Sequence, residues 1–570
     1  MNIFKYLSAL LPILVLMGIL YSCSINESLM DTPTPELITN EDDLEAVIHG
    51  AYARFNDAAA FKFQGMMMLM LMADDLYSDA GSEFGPFANR SLSGVNTATF
   101  WNQFYFSIAS ANALLKIVDD LDLDPAVEKR AAGEAYFLRA FSYYYLVRLY
   151  GPVPLRLDAV DINSNFYLPR SPLDEVYAQI FDDLKKASAR LPLYSAIPAG
   201  ELGRASKGAA QALLAHALLT YGNQLSLKGG NPDERYTQAV VYADSVINSN
   251  EYILINSFAD LFNLDKEADA YDEVIFGIRF QVDNQSRAQP SAGSEFALRF
   301  MAPVTAGVTG RANGTGAGSI RPMPWVADFY RTGDYVTGTD AGRVLDFRNE
   351  VSFYPKGVST TGSTVIMYPD IAGAGQTRVP SALVGKYIDP NGKDERNNGN
   401  DFFVIRLAEI YLIKAEALNE LNGPTLTAVD AFNMVRARAR KANGTPRAVP
   451  ADIPASHTFT KAQFRMKIFE ERGLEFIGEG QRWFDLVRMQ HPSDPTKTMY
   501  EYQFLEELPK AKYPKVLPVW QAAQNKWSNS FAVYAKSLNV IVPKFLLFPV
   551  PTTELLQNPS IGMENQNAGW

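Results

Sequence analysis

Helical spacing of apolar residues is the feature that most limits what this chain can fold into. Ten segments show the spacing, and polar, acidic or glycine residues mark many of their ends. The segments cover about residues 40–55, 99–118, 127–149, 173–189, 207–221, 236–248, 404–421, 428–441, 461–477 and 481–489. The sequence therefore predicts a mainly α-helical protein.

Small residues at turn spacing indicate how these helices pack. Ala209, Ala212 and Ala215 follow one another along one segment, beside Leu213 and Leu214. Small side chains let two helix backbones approach closely, and short polar connections favour antiparallel neighbours. We therefore expect helical hairpins that stack in the manner of tetratricopeptide repeats, although the sequence shows no fixed repeat period.

A long central region interrupts the helices. From about residue 252 to 403 the helical spacing fades, and Gly, Ser, Thr and Asn become frequent. Two β-like runs lie within this region, at 273–280 and 364–368. Because a long stretch with little regular structure in a compact protein is usually functional, we interpret residues 271–403 as a loop-rich lobe that binds ligand. An N-terminal helical region, 41–270, precedes this lobe, and a C-terminal region, 404–570, follows it.

The N-terminus is typical of a lipoprotein signal peptide. The apolar run at 7–20 contains no acidic residue and is shorter than a membrane-spanning helix. After it Ser22 precedes Cys23, the single cysteine of the chain. A lone cysteine cannot form an internal disulfide, and its place after the apolar run favours lipid modification. We therefore predict a signal peptide over 1–22, a lipid anchor at Cys23 and a polar tether over 23–40.

Composition argues against several functions. The net charge is -11 and the pI is about 5.1, without the cluster of Lys and Arg that phosphate binding needs, so nucleic acid is not expected as a partner. The four His residues lack metal-ligand spacing, and one cysteine cannot build a thiolate site. The sequence shows neither a GxSxG turn nor a Gly-rich phosphate loop before a helix. We expect no cofactor, and a structural calcium ion held by loop oxygens near 389–400 remains open.

Several acidic pairs could be read as the two carboxylates of a glycoside hydrolase. The pairs are Asp74–Asp75, Glu470–Glu471 and Glu475–Glu479. Consecutive residues point apart on a helix, whereas the glutamates from position 471 onward recur every four residues with Arg472 and Arg482 nearby. We therefore interpret these acids as structural ion pairs, and we interpret Arg406, Glu409 and Glu416 in the same way.

Several sequence blocks resemble the SusD/RagB family. They read AYFLRAFSYYYLVRLYGPVPL at 135–155, IRLAEIYLIKAEALN at 405–419 followed by VRARA at 435–439, EERGLEFIGEGQRWFDLVR at 470–488, and LFPVPTTE at 547–554 before the terminal ENQNAGW. In the last block Ala568 and Trp570 replace the residues that are commoner in the family. The blocks occur in the family's order and extend over most of the chain.

The resemblance implies a fold, a location and a partner. The fold is a helical body of four tetratricopeptide-like pairs with a second, loop-rich lobe. The location is the outer-membrane surface, where the lipid on Cys23 would hold the protein. The partner is a SusC-like TonB-dependent transporter, over which the binding protein closes like a lid, and the ligand is a glycan. The resemblance implies no enzymatic activity.

A glycan site needs aromatic platforms for the apolar C–H faces of sugar rings, with a few hydrogen-bonding groups. The candidates from the predicted loops are Phe84, Phe87, Asn89, Arg90, Trp325, Tyr330 and Tyr335. Trp325 also fits a core position, because Val326, Phe329 and Tyr330 follow it at helical spacing. We expect ligand contacts from loops around 75–95 and 285–340 and not from the helices.

Three other functions remain open from the sequence. A peptide-binding homologue of the RagB type would share the fold and its loop aromatics. A surface glycoside hydrolase would need paired carboxylates in the loop-rich lobe. A tetratricopeptide scaffold for other proteins would leave the long Gly-rich region without a role.

Overall fold

The structure is a computed structural model. It describes residues 38, 40–78, 84–88, 90–161, 163–283, 292–300, 318–330, 333–338, 344–353, 356–358, 364–368, 377–379, 382–389, 391–393, 396–442, 445–508, 519–528 and 544–570. None of the helices in these ranges is long and apolar enough to cross a membrane.

Helices dominate the described residues. In chain order they are α1 (Glu41–Ala53), α2 (Gln64–Leu71), α3 (Gly85–Ala88), α4 (Gly94–Asp120), α5 (Pro125–Tyr150), α6 (Leu173–Arg190), α7 (Lys207–Leu227), α8 (Asp233–Ile247), α9 (Glu267–Ala270), α10 (Phe296–Phe300), α11 (Pro324–Phe329), α12 (Arg348–Ser352), α13 (Leu407–Asn422), α14 (Leu426–Ala439), α15 (Lys461–Glu475), α16 (Arg482–Arg488), α17 (Met499–Glu501) and α18 (Thr552–Gln557).

The strands are short. They are β1 (Leu76–Ser78), β2 (Val274–Ile278), β3 (Ile320–Pro322), β4 (Val336–Thr337), β5 (Val344–Leu345), β6 (Lys356–Val358), β7 (Thr364–Met367), β8 (Thr377–Val379), β9 (Phe402–Arg406), β10 (Lys441–Ala442), β11 (Thr445–Pro446), β12 (Val519–Gln521) and β13 (Lys526–Ser528). They form small sheets of two or three strands, which include the antiparallel pairs β1–β3 and β2–β9.

The helices stack in chain order, as the sequence predicts. Helix α4 packs on α5, α5 on α6, α6 on α7 and α7 on α8, while α13 packs on both α8 and α14. Short turns join α4 to α5, α7 to α8 and α13 to α14, so these pairs are hairpins. The mainly α-helical fold with tetratricopeptide-like hairpins is therefore confirmed.

Local sequence signals account for many helix ends. The side chain of Ser206 accepts a hydrogen bond from the Ala209 backbone at the start of α7. Thr460 forms a capping box at the start of α15. Helix α5 ends at Gly151, whose φ of 73° is in the left-handed region that favours glycine. These caps explain why the helix boundaries agree closely with the sequence pattern.

A buried cluster of rings joins the helical stack to the central sheet. Phe137 and Phe141 on α5 lie 4.8 and 5.5 Å from the ring of Phe276 on β2. On the neighbouring strand, the ring of Phe402 lies 5.7 Å from Phe61, which also contacts Phe141. Because these rings have almost no exposed surface, the core is continuous between the helices and the central lobe.

The structure departs from the sequence prediction at several places, of which one helix start and one unpredicted helix have a clear physical cause. The predicted helix over 404–421 begins only at Leu407, because residues Phe402–Arg406 pair with β2 as strand β9. Tertiary pairing overrides local helical spacing there. Helix α2 has no predicted counterpart, since its sequence QGMMMLML is apolar all round and lacks an amphipathic pattern. The β-like runs at 273–280 and 364–368 contain β2 and β7, as expected.

Candidate ligand-binding site

A cavity of about 220 Å³ lies where three distant parts of the chain meet. The parts are the start of β1 with helix α11, one face of α15 with Arg482, and the turn of π-helix at Tyr502–Glu507. Single π-turns are frequent at functional sites. The lining residues are Asp75, Trp325, Val326, Phe329, Met466, Phe469, Glu470, Gly473, Leu474, Arg482, Tyr502, Gln503 and Glu507.

Pairing of β1 with β3 brings the first wall together. Leu76 lies opposite Pro322, and the backbone N–H of Met323 donates to the carbonyl of Asp75 at 2.8 Å. Directly after this strand, the indole Nε1–H of Trp325 donates to the carbonyl of Asp74 at 3.1 Å. Sheet pairing therefore places Asp75 beside Trp325, although 250 residues separate them in sequence.

Asp74 and Arg482 fix the floor of the cavity. Asp74 is fully buried and accepts from Nε and Nη2 of Arg482 at 2.7 and 3.0 Å. The same guanidinium lies 3.7 Å from the centre of the Phe469 ring, and its Nη1 donates to the Phe469 carbonyl at 3.1 Å. A buried bidentate pair with an aromatic contact holds its geometry firmly.

Asp75 differs from Asp74, because none of the described arginines forms a bidentate ion pair with it. The side chain is 4% exposed, and its Oδ1 makes no hydrogen bond with the described residues. Burial, reinforced by the charge of Asp74, raises the pKa of Asp75 to about 7, although Arg482 acts in the opposite direction. The cavity therefore contains a carboxylate with a pKa of about 7, one oxygen of which has no hydrogen-bond partner among the described residues.

Two other lining groups suit a polar ligand with an apolar face. The Trp325 ring is partly exposed, and its Nε1–H donates to the carbonyl of Asp74. The side-chain amide of Gln503 is 6% exposed and makes no hydrogen bond with the described residues. An amide can donate and accept, so Gln503 complements the acceptor Oδ1 of Asp75.

Two predicted ligand residues of the central lobe lie in the core instead. Tyr330 is fully buried, and its hydroxyl donates to the carbonyl of Leu474 at 2.5 Å. Tyr335 is 2% exposed and stacks on Phe329 with a ring separation of 5.4 Å. Neither ring has exposed surface to offer a ligand, so the structure corrects both predictions. Tyr330 belongs to the helix-spaced pattern that begins at Trp325, and Tyr335 lies in a separate turn at Gly333–Tyr335.

The candidates around residue 87 are also packing residues. Phe84 and Phe87 are fully buried, with Phe84 against Phe63 and Phe87 against Phe548. Both predictions are corrected, because neither ring has a free face. Asn89 lies outside the described residues.

Arg90 is buried behind the site. Its Nη2 donates to the carbonyl of Ala73 at 3.3 Å, its Nε donates to the hydroxyl of Tyr500 at 3.3 Å, and its guanidinium lies over the ring of Phe504. It therefore ties the segment before Asp75 to the segment that carries Gln503. The predicted ligand contact is corrected to a positioning role.

The predicted anchor and the open calcium site have different outcomes. Cys23 lies outside the described residues. Within the described ranges, no group of three or more His, Cys, Asp or Glu side chains is arranged to hold a metal ion. Near the segment that left calcium open, the carboxylate of Asp389 accepts from the backbone of Asn391 and Gly399 at 2.8 and 2.7 Å. These bonds shape the loop.

Most acids in the helical motifs form structural ion pairs, as interpreted from sequence. A buried network, here called the charge hub, joins five cations to five carboxylates. Its members are Arg348, Lys386, Arg406, Arg436, Arg438, Glu273, Asp346, Glu471, Glu475 and Glu479. Outside the hub, Glu409 pairs with Arg472 and Glu416 with Arg488. Arg472 and Arg482 do not pair with the glutamates of their own block.

Sequence reasoning missed part of the site. Asp75 was interpreted as a structural charge, yet it lines the cavity. Glu470 pairs with Lys467, as interpreted, and also lines the cavity. Gln503 and Glu507 were not singled out. Helix α15, whose last residues belong to a family block, also lines the cavity. The expectation that ligand contacts come from the loops and not from the helices stays a prediction. The sequence signal was the doublet Asp74–Asp75 itself, since two adjacent acids need two partners, and the fold shows that Arg482 bonds to Asp74.

Solved structures first define the class of protein. The chain matches the crystal structure of a SusD homolog from Bacteroides thetaiotaomicron with a TM-score of 0.75 at 20% identity, over 94% of this chain and 98% of that one. It also matches a structure described as a laminarin binding SusD-like protein, with a TM-score of 0.64 at 21% identity, over 94% of this chain and 100% of that one. The fold is therefore that of the SusD class.

The sequence then gives the family. The SusD family profile matches residues 272–570, and a profile described as "starch-binding associating with outer membrane" matches residues 35–219. SusD-like protein P2 of Formosa agariphila is 28% identical over 495 residues, which are 84% of this chain and 89% of that protein. The chain belongs to the SusD family, and the resemblance of its sequence blocks is confirmed.

Proposed function

We propose that this protein is a surface lipoprotein that binds a glycan and delivers it to a SusC-like TonB-dependent transporter. One observation carries the proposal. In the cavity, the partly exposed ring of Trp325 lies with the amide of Gln503 and with Oδ1 of Asp75, and this oxygen makes no hydrogen bond with the described residues. Buried polar groups without partners are rare in folded proteins, because leaving them without a hydrogen bond costs free energy. A ligand that bonds to them removes this desolvation penalty.

The chemistry of the cavity fits a sugar residue. A pyranose ring has an apolar C–H face, which suits the indole of Trp325, and hydroxyl groups at its edge. A hydroxyl can donate to Oδ1 of Asp75, while another can bond to the amide of Gln503. Phe329, Met466 and Val326 supply apolar surface around these groups. The likeness to a laminarin-binding protein and the starch-binding family description support the same ligand class.

The cavity size limits how much of a glycan it encloses. Its volume of about 220 Å³ is below the roughly 300–1,000 Å³ of pockets that enclose drug-sized ligands. We therefore propose that one sugar residue enters the cavity and that the rest of the chain lies along the protein surface. This arrangement suits a protein that holds a polymer briefly and passes it on.

Membrane attachment is proposed through lipid on Cys23, followed by the tether to residue 40. The support is the lipoprotein-like N-terminus together with the family description, which mentions the outer membrane. Two or more acyl chains would hold the protein firmly, at roughly 0.8 kcal/mol for each buried methylene. Cys23→Ser should release the protein from the outer-membrane fraction, and a variant that fractionates like the wild type would contradict the anchor.

We propose binding without hydrolysis. The relatives described by ligand are binding proteins, and the acids of the helical motifs are taken up in ion pairs. Purified protein incubated with its glycan should leave the chain-length distribution unchanged. A steady release of reducing ends would instead support the glycoside hydrolase interpretation.

The experiment compares Trp325→Ala with wild type by calorimetric titration against a panel of polysaccharides and peptides. Starch, laminarin, mannan, xylan and galactan represent glycans, and a mixed peptide library represents the alternative ligand. Loss of ring stacking should weaken glycan binding about fivefold or more, since one stacking contact is worth roughly 0.5–1.5 kcal/mol beyond area burial. The matched control is Phe106→Ala, which removes a 56% exposed ring outside the cavity and should leave affinity unchanged.

Each other outcome contradicts part of the proposal. Glycan binding that is equal in wild type and Trp325→Ala would move the site elsewhere. Binding of peptides alone would replace glycan by the peptide ligand of the RagB type. Binding of no member of the panel would reject the proposed function.

A further inference from the structure

The charged groups that line the cavity are unequal in sign. Among the described lining residues, Asp75, Glu470 and Glu507 are carboxylates, and Arg482 is the one cation. Glu470 is paired with Lys467, so Asp75 is the carboxylate whose charge an anionic ligand would meet unless Arg482 can reach that ligand. The position of that guanidinium decides which glycans the cavity accepts.

Arg482 is enclosed on several sides. Asp74 takes two of its N–H groups and the Phe469 carbonyl takes a third, while the Phe469 ring covers the guanidinium at 3.7 Å. Gly473 lies so close that an added Cβ would come within 2.9 Å of Nη1. With a side chain only 8% exposed and a carboxylate already bound, Arg482 cannot turn to pair with an anionic ligand without breaking a buried ion pair.

Lys467, a cation on the same helix as Glu470, is also held by acids. Lys467 on α15 lies 3.1 Å from a carboxylate oxygen of Asp334 and 3.5 Å from one of Glu470. The ammonium of Lys467 therefore lies between two carboxylates. Lys467 therefore balances charges that the protein already has and adds no net positive charge to the cavity.

We infer that the cavity selects uncharged sugar residues and rejects residues that carry a carboxylate or a sulfate, with the Asp75 carboxylate as the rejecting group. This inference rests on the proposed glycan-binding function. Oδ1 of Asp75 can accept a bond from a hydroxyl, but an anionic substituent at the same place would meet a buried like charge. Removal from water makes that repulsion much stronger than it is between exposed groups.

The test uses glycans that differ only in charge. Laminarin, starch and mannan are compared with the same polymers after selective oxidation of their C6 hydroxyls to carboxylates. Titrations at about pH 8 keep Asp75 ionised, because its pKa is about 7. The neutral polymer that binds should exceed its oxidised form by about tenfold in affinity, the effect of roughly 1.4 kcal/mol.

Two charge variants separate the cavity from the overall net charge of -11. Asp75→Asn keeps the shape and should reduce the preference for the neutral polymer several-fold. Glu175→Gln, an exposed carboxylate on α6 outside the cavity, removes the same charge and should leave the preference unchanged. A thermal melt of each variant checks that it is folded.

The possible outcomes distinguish a failure of charge selection from a failure of the proposed glycan binding. An oxidised polymer that binds as tightly as the neutral one, or a preference that survives Asp75→Asn, overturns charge selection while glycan binding stands. An equal loss of preference in Glu175→Gln overturns the role of Asp75, because overall charge then suffices. Failure of every polymer to bind overturns the proposed function and the inference together.

Discussion

The two faces of helix α15 place carboxylates in opposite surroundings. On the inner face, Glu471 and Glu475 enter the charge hub, where Glu475 contacts Arg348, Arg406 and Arg438. On the other face, Phe469 and Glu470 border the cavity that contains Asp75. Both regions are buried and rich in acids, yet one is closed by arginines and the other is left with an unbonded oxygen.

The pKa shifts express this difference. Burial alone would raise the pKa of Glu475, but the charges of Arg438, Arg406 and Arg348 outweigh it and hold the pKa well below its ordinary range. At Asp75 burial dominates, and the pKa rises to about 7. Depth of burial therefore does not decide the protonation state of a buried acid. The number of cations in contact does, and it separates a structural acid from one that can serve a ligand.

The largest expected effect is a loss of stability when a carboxylate of the charge hub is neutralised. Glu475→Gln keeps the shape of the side chain but leaves Arg438, Arg406 and Arg348 with too little negative charge. Removing one partner from a buried ion network typically costs about 3–5 kcal/mol. Urea unfolding at neutral pH should show this loss, and glycan affinity of the folded variant should stay unchanged.

Glu470→Gln is the matched control for that change, five positions away on the same helix. The side chain of Glu470 is 28% exposed and Lys467 keeps Asp334 as a partner, so its loss should stay below about 1 kcal/mol. The pH dependence has a defined sign. Because the pKa of Glu475 is lowered in the folded state, its stabilisation is present above about pH 4.5 and is lost as the pH falls further. Equal losses in both variants would contradict the contrast.

A substitution in the cavity should raise the free energy of unfolding, whereas the substitution in the charge hub lowers it. The pKa of Asp75 is raised from 3.8 to about 7 on folding, so ionised Asp75 destabilises the folded state. Its stabilising contribution is complete below about pH 4 and is lost as the pH rises through 7. Asp75→Asn should therefore raise the free energy of unfolding at pH 8 by up to about 4 kcal/mol, and by little at pH 4. Urea unfolding at the two pH values checks this.

Asp74→Asn is the control for this prediction, since it removes the adjacent carboxylate that Arg482 binds. It should lower stability at both pH 7 and pH 8, because it leaves a buried guanidinium unpaired. A gain in stability from both substitutions would mean that the two acids are equivalent. The contrast between the cavity and the ion pair beneath it would then be wrong.

Most of the fold could be predicted from sequence, because local signals specify helices. The spacing of apolar residues and the caps at Ser206, Thr460 and Gly151 act within a few residues of chain. Strand β9 could not be separated from helix α13, since its pairing partner β2 lies more than 120 residues away. Helix α2 is apolar all round and carries no periodic signal.

The site was less predictable for the same reason. Trp325, chosen as a large ring in a loop-rich region, lines the cavity, and its contact with a ligand stays a prediction. Tyr330 and Tyr335 are buried through contacts with α15 and α12, which no local pattern shows. Whether Asp75 or Asp74 receives Arg482 is settled only by the fold. Gln503 has no sequence signal, since an amide becomes significant only when its surroundings leave it unbonded.

The smallest expected effects separate packing from binding at Tyr330, which lies in the core, and at Gln503, which lines the cavity. Tyr330→Phe removes the hydroxyl that donates to the Leu474 carbonyl, so unfolding should require about 1 kcal/mol less, while glycan affinity stays within about twofold. Gln503→Ala should do the reverse, because its amide has no bond within the described residues to lose, and affinity should fall several-fold. Thermal melts give the stability of each variant, and titrations give its glycan affinity. A fall in affinity with Tyr330→Phe and none with Gln503→Ala would show that the buried phenol, and not the open amide, shapes the ligand site.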